Sequence, residues 1–346
     1  MKKPKPFISI VVPTWNGGAM IGETIDSLLN QDFPHSQYEI IIVDDASTDN
    51  TLERLEAFSG RVRVFQQSKA GSASARNLGI HRADDDYLVC FDQDDILFPY
   101  ALQVYRGVID AFDRPPVVLA QYIQFRGGEV FNPGSGNPAR VNCVKCRDYF
   151  GKTVQTGVLN SIFVLRRDSV LHAGCYSSDT ASYDDHDLLF KLGTASPMVK
   201  ILHPPTVAYR IHDRNATRDA EFLLQGTLAL IRNERLRLYP GGWRRLLDRR
   251  GLIGSNVLSI CYRSFFRARH MPLHRRLALI NRLLLHARGL VFVALVRKGF
   301  SRFYSQELRS LDSVSSPRVE VDSHGGTESS LADDDRKPTN ELTPRR

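Results

Sequence analysis

Short apolar runs rich in β-branched residues alternate with helical patterns through the first 120 residues of the chain. Ile8 to Val12, Glu39 to Val43, Arg61 to Phe65, Asp86 to Phe91 and Val117 to Tyr122 predict strands. Ala19 to Asn30, Thr51 to Phe58, Ser72 to His81 and Tyr100 to Phe112 predict the helices between them. In the first helix, Ile21, Ile25, Leu28 and Leu29 share one face. Apolar strands alternating with helices specify an α/β fold, a mostly parallel sheet covered on both sides. Ligands of such sheets sit beyond the carboxyl ends of the strands, where the strand order reverses. The residues just after each strand are the ones to inspect.

The pattern changes after Gly127. A turn-rich stretch, GGEVFNPGSGNP, precedes a predicted strand from Ser161 to Arg166, a helix beginning near Asp184 and an extended piece from Thr206 to Ile211. A helical region follows, with a basic helix around Arg244 to Arg269. In a second helix Leu273, Leu277, Ile280, Leu284, Ala287 and Val291 recur in steps of four and three, with Arg275 and Arg282 opposite. From about Ser310 the chain is rich in Ser, Asp, Pro and Gly and is expected to be disordered.

Composition narrows the class. The chain has 346 residues, 42% hydrophobic and 24% charged, which suits a globular protein and excludes a wholly disordered or collagen-like one. No apolar run reaches the ~20 residues of a membrane span. MKKPKPF leads into ISIVVP, which contains a proline and is too short for a secretory segment. Five cysteines, an odd and sparse count, argue against a secreted disulfide scaffold. A cytoplasmic protein is expected.

The net charge of +8 is unevenly placed. Residues 232–302 carry 17 Arg and Lys against 2 acids, whereas both the preceding part and the tail are net acidic. A basic amphipathic segment suits an anionic membrane surface, on which the protein would lie peripherally. The alternative is a nucleotide-fold binding protein whose basic helical arm engages nucleic acid. The segment is rich in Leu, Val and Phe and has no zinc-finger or helix-turn-helix spacing, so no nucleic acid partner is expected.

Two predicted strands end in carboxylates: DDASTDNT, Asp44 to Thr51, and DQDD, Asp92 to Asp95. Like charges this close need a cation or hydrogen-bond donors. Hard oxygen ligands in one crevice suit Mg²⁺ or Mn²⁺, completed by substrate phosphates. Asp49 reads as a turn and cap residue for the helix at Thr51. A dinucleotide-binding domain would need G-x-G-x-x-G after the first strand. That place holds PTWNGGAMIG, with the wrong spacing, and there is no P-loop. Cys143 and Cys146 form a single CxxC without a second pair, so no zinc is assigned.

The runs ISIVVPTWNGGAMIGETIDSLLNQDF, IIVDDASTDNT, AGSASARNLGI and DDDYLVCFDQDD, in this order, resemble the amino-terminal half of family-2 glycosyltransferases. The likeness continues more weakly through SYDDHDLL and YRIHDRN, to about residue 215. It implies the type-A glycosyltransferase fold and a metal-dependent, inverting transfer from a nucleotide-diphosphate sugar, a UDP-sugar first, to an acceptor hydroxyl. A glycan or lipid-linked acceptor and a role in cell-surface polysaccharide or glycolipid synthesis go with it. The resemblance puts Pro13, Thr14 and Trp15 at the nucleobase, where Trp15 is either a stacking platform or a core residue. Asp44 takes the place of the carboxylate that accepts from the base ring. Arg76 is either a nucleotide contact or a helix-surface arginine. Asp94 would be the direct metal ligand, with Asp92 reaching the ribose or a metal-bound water. Asp95 would be a cap or loop support. Asp185 takes the place of the catalytic base, with Asp184 where glutamate is usual; acids in a helix's first turn also occur for dipole reasons alone. His212 is either a third metal or pyrophosphate ligand or a loop histidine. The implied division is 1–120 for the nucleotide-sugar half, 121–220 for the acceptor half, 221–303 for the basic helices and 304–346 for the tail.

Overall fold

The computed structural model describes residues 7–127, 140–150, 160–213, 219–266 and 272–287, with Pro138, Asn215 and Leu290. The expected disordered tail and most of GGEVFNPGSGNP lie outside them. Three strands, β1 (Ile8–Thr14), β2 (Tyr38–Asp44) and β4 (Tyr87–Cys90), are parallel neighbours in the larger sheet. β1 and β4 are buried along their whole length, as their unbroken apolar runs require when helices cover both faces. The remaining strands of this sheet are β3 (Arg63–Gln66), β6 (Val117–Leu119), β8 (Asn142–Cys146), β9 (Phe163–Arg166) and β10 (Met198–His203). Their order is β3-β2-β1-β4-β9-β6-β10-β8, and only β9 and β8 run against the others. A second, three-stranded sheet joins β5 (Ile96–Leu97), β11 (Val207–Ile211) and β7 (Tyr122–Arg126). The expected strand from Val117 to Tyr122 is therefore divided between the two sheets.

Helices α1 (Ile21–Leu29), α2 (Thr51–Glu56), α3 (Ser72–Arg82) and α4 (Ala101–Ala111) follow the predicted pattern. Ile21, Thr24, Ile25 and Leu28 form the buried stripe of α1. In α3 the stripe is thin, and a methyl at Gly79 would overlap Val11, so that glycine lets α3 lie close on β1. Of two short helices in the second half, α5 (Arg167–His172) starts at the amino end of β4, where the Arg167 N–H donates to the Asp86 carbonyl, whereas α6 (Asp184–Lys191) starts beside Arg76.

Three longer helices follow, α7 (Ala220–Arg235), α8 (Leu246–Phe266) and α9 (Leu273–His286). Asp219 caps α7 by accepting from the backbone N–H groups of Glu221 and Phe222. The buried face of α9 is Leu279, Leu283 and Ala287, packed towards α7 and α8, while Leu277 and Leu284 are exposed. The stripe expected from the sequence is thus rotated. Apolar residues fill most steps between Leu277 and Leu285, so more than one stripe fits the helical period, and packing selects among them.

At the amino edge of the sheet, the Ser9 hydroxyl lies 2.7 Å from Glu39 Oε1 and 2.8 Å from Asp85 Oδ2. One hydroxyl proton cannot serve both oxygens, so a carboxyl proton is needed. Burial pushes Asp85 up to about 7, with the charges of Glu39, Asp84 and Asp86 adding to it. The folded state then holds a proton that the unfolded chain has lost, so this group weakens the fold as pH rises from about 4 through 7. Asp85→Asn is expected to stabilise by about 1–3 kcal/mol at pH 8 and by little near pH 4. Urea denaturation across that range measures it; a variant that loses stability with pH as steeply as the parent would exclude Asp85 as the source.

Candidate active site

The carboxyl ends of β1, β2 and β4 meet beside one another, because these three strands are parallel neighbours. β1 lies where the strand order turns back, so its end borders the crevice expected of such sheets. Pro13 and Thr14 are buried in β1's last turns of pleat, and Trp15 emerges 49% exposed. The Lys69 ammonium sits 3.4 Å from the centre of its indole ring. Trp15 is therefore no core residue. Gln93 holds this end in place: Thr14 Oγ1 and the Trp15 N–H donate to Gln93 Oε1 at 2.6 and 3.0 Å, and its amide donates to the Trp15 carbonyl.

Asp44 ends β2 and is almost fully buried. Its Oδ2 accepts from the Ser47 N–H at 3.1 Å, whereas its Oδ1 has no hydrogen-bond partner. An unpaired buried carboxylate oxygen is costly unless a ligand donor completes it. Its neighbour Asp45 is fully engaged, with Gln67, Lys69 and the backbone N–H groups of Ala70 and Gly71. Asp49 ties Gly18 and Thr51 through their N–H groups, a turn and cap role, although Asn50 occupies the cap position.

After β4, each acid of DQDD has a different partner. Asp92 accepts from Arg76 Nη2 at 2.6 Å, and Arg76 Nη1 donates to Asp184 at 2.6 Å. Arg76 is 5% exposed, so it is not a helix-surface arginine. It bridges the loop after β4 to the start of α6. Burial pushes Asp92 up to about 6, opposed by Arg76 and reinforced by Asp94 and Asp184. Asp94 Oδ2 lies 2.7 Å from His212 Nε2, which follows β11. Asp95 is buried and accepts from Ser161 Oγ at 2.6 Å and the Arg210 N–H at 3.1 Å, so it supports the loop. Burial, with Asp94 and Asp92 beside it, holds Asp95 well above the usual carboxylate range.

At the first turn of α6, Asp184 also receives Asn160 Nδ2 at 3.4 Å and the Asp185 N–H at 2.8 Å. Burial raises its pKa against the pull of Arg76. Asp185 Oδ1 accepts from the His186 N–H at 2.6 Å and from His186 Nδ1 at 2.8 Å. Its Oδ2 makes no hydrogen bond among the described residues. The His186 ring meets Tyr183 edge-on at 5.0 Å. Asp187 faces away into the core, bonded to Ser177, Asn233, Tyr239 and Lys191.

Asp92, Asp94, Arg76, His212, Asp184 and Asp185 are thus linked through α6, β4 and β11. Gln93, Asn160, Ser161, His186 and Arg210 belong to the same network and were not singled out by sequence. Gln93 stood inside DQDD, His186 inside SYDDHDLL and Arg210 inside YRIHDRN, which were usable signals; Asn160 and Ser161 carry none at the level of spacing. Among the described residues no group of three or more His, Cys, Asp or Glu forms a cation site. Asp94 and His212 still suit a divalent cation whose other ligands are diphosphate oxygens and water, the pattern in which protein supplies only one or two donors.

An open, mostly parallel sheet with carboxylates gathered at its switch point is the arrangement of the type-A glycosyltransferase fold. Residues 9–171 match the family model for "Glycosyl transferase family 2". Over that stretch, just under half of its residues, the chain is similar to this family, and its match spans well under half the length of the first curated relatives. It is 44% identical over 123 residues to glycosyltransferase GlyG of Streptococcus pneumoniae, covering 34% of this chain and 40% of GlyG. The crystal structure of S. aureus TarS 1–349 superposes with a TM-score of 0.58 at 18% identity, covering 82% of this chain and 81% of that one. A mannosyltransferase, PcManGT from Pyrobaculum calidifontis, in complex with GDP-Man and Mn²⁺, gives 0.50 at 18% identity, covering 85% and 87%. At these identities the two structures speak for the fold.

Proposed function

We propose that the chain transfers a sugar from a nucleotide-diphosphate sugar, a UDP-sugar first, to an acceptor hydroxyl with inversion at the anomeric carbon. The observation that carries this is the meeting of Asp44, Asp92, Asp94 and Asp185 around one crevice, with an unpaired Asp44 Oδ1 at the end of β2. That oxygen takes a ring N–H of the base, and the exposed Trp15 face stacks on it. Asp92 holds the ribose. Asp94 and His212 hold Mn²⁺ or Mg²⁺, which when bound supplies positive charge to the departing diphosphate. To serve there, the His212 ring would carry its proton on Nδ1 and leave the Nε2 lone pair for the cation. Arg76 keeps the carboxylates of the two halves apart and in register, and adds positive charge near the leaving group. Asp185 takes the acceptor's proton as its oxygen bonds to the anomeric carbon and the bond to the diphosphate breaks. His186 fixes Oδ1 of that base. In-line attack on an α-linked donor yields a β-linked product.

The acceptor is a glycan or a lipid-linked saccharide, in cell-surface polysaccharide or glycolipid synthesis. The protein works at the cytoplasmic face of a membrane, held peripherally by an anionic surface. Among the described residues no helix is long and apolar enough to cross a bilayer.

Hydrolysis of a panel of nucleotide-sugars with and without Mn²⁺ tests the reaction. Asp94→Ala is expected to abolish the Mn²⁺-dependent part of donor binding, seen by calorimetry, with the melting temperature near that of the parent. Unchanged donor affinity in Mn²⁺ would remove Asp94 from the metal site.

A further inference from the structure

The connection from α7 to α8 presents four large apolar side chains to solvent. Leu236 is 61%, Leu238 58%, Trp243 70% and Leu247 65% exposed. Isolated exposed leucines are ordinary, but four within twelve residues, one of them the chain's more exposed tryptophan, are not. The turn beneath them is held from inside. Tyr239 is buried and bonded to Asp187, and the Arg249 guanidinium donates to the carbonyls of Pro240 and Gly242 at 2.7 and 3.1 Å. The outer side chains are thus displayed on a fixed support and are not needed to close it.

Charge identifies the occupant. Residues 232–250 contain seven arginines and two acids. Both acids are engaged, Glu234 by Arg249 at 2.7 Å and Asp248 by Arg245 at 3.0 Å. Arg237 and Arg244 are exposed beside the apolar group, and the Arg237 guanidinium lies 4.7 Å from the centre of the Trp243 ring. α9 extends the same surface: Arg235 donates to the His286 carbonyl at 2.6 Å, which brings the end of α9, with exposed Leu284, beside Leu236. α9 contains no acid. Indole and leucine between guanidinium groups match the boundary of an anionic bilayer, where rings lie at headgroup level and arginines meet phosphates.

We propose that the α7–α8 turn, with Trp243 and Leu247 entering the headgroup layer and Arg237 and Arg244 on lipid phosphates, is the membrane contact. This rests on the peripheral-membrane reading above and relocates it, because α9 spends its most buried stripe on the protein.

The test is flotation of the full chain with phosphatidylcholine vesicles, with and without about one-third phosphatidylglycerol. The parent is expected to float with the anionic vesicles only. Trp243→Ser with Leu247→Ser should reduce binding by about tenfold or more. Arg237→Gln with Arg244→Gln should reduce it and flatten its dependence on salt. Nucleotide-sugar hydrolysis and melting temperature should stay at parental values in both, which separates a failure here from a failure of the transferase reading. Parent binding with neither variant affected would overturn the turn as the contact and leave the membrane reading standing. No parent binding would overturn both. A dimer dispersed by Trp243→Ser, with no flotation, would assign the surface to a second copy and overturn the proposal.

Discussion

Asp185→Asn is expected to lower kcat by about 10²–10⁴ while leaving donor affinity close to that of the parent. The substitution is mild in shape. The amide oxygen can keep both hydrogen bonds that Asp185 Oδ1 receives from His186, through the backbone N–H and ring Nδ1. What is lost is a group able to accept the acceptor's proton. Donor affinity should hold because the proposed base, ribose and metal contacts all come from other elements. Transfer assays under acceptor saturation, beside calorimetry with the nucleotide-sugar, separate the two quantities. Near-parental kcat would displace the base from Asp185. Asp187 is then no substitute, since its carboxylate is fully buried and bonded to four partners.

The second large effect is on stability. Arg76→Ala removes the partner shared by Asp92 and Asp184, both held at 2.6 Å. Asp184 is buried and Asp92 partly so, and removing the cation from a buried carboxylate costs about 3–5 kcal/mol in comparable cases. The loss should appear as a lower denaturation midpoint at unchanged slope. Arg76→Lys should recover only part of it, because a single ammonium cannot reach two carboxylates with the fixed fork of a guanidinium. A stability within about 0.5 kcal/mol of the parent for Arg76→Ala would show that protonated acids or water replace the bridge.

Much of the nucleotide half could be read from the chain. β1, β2, β4 and α1 each have a single apolar pattern that only one element type satisfies, and the observed bounds differ by a few residues at the ends. β10 and β8 were missed. MVKILH and NCVKC each interrupt their apolar run with a lysine, and their pairing is antiparallel across more than fifty residues of sequence. In α9 the composition permitted several stripes, and contact with α7 and α8 chose one. The site shows the same division. Asp44, Asp92, Asp94 and Asp185 sit at element ends, where pattern marks them. Ser161, Asn160 and Arg210 act through bonds to Asp95, Asp184 and Glu23, across 66, 24 and 187 positions, and no local spacing encodes such pairings.

Asp187 has a consequence for how the molecule is made. Two of its partners, Ser177 and Lys191, come from the chain around α6, but Asn233 and Tyr239 come from the end of α7 and the turn beyond it. A ribosome releases the amino-terminal part first, at about 5–20 residues per second. Until Tyr239 has emerged, α6 carries a carboxylate whose burial would leave hydrogen bonds unmade, so the helix that bears Asp184 and Asp185 has reason to stay open to water. The nascent sheet can form early. The proposed catalytic carboxylates would settle only after the basic turn has left the tunnel, which orders the folding of the two ends of the molecule in time.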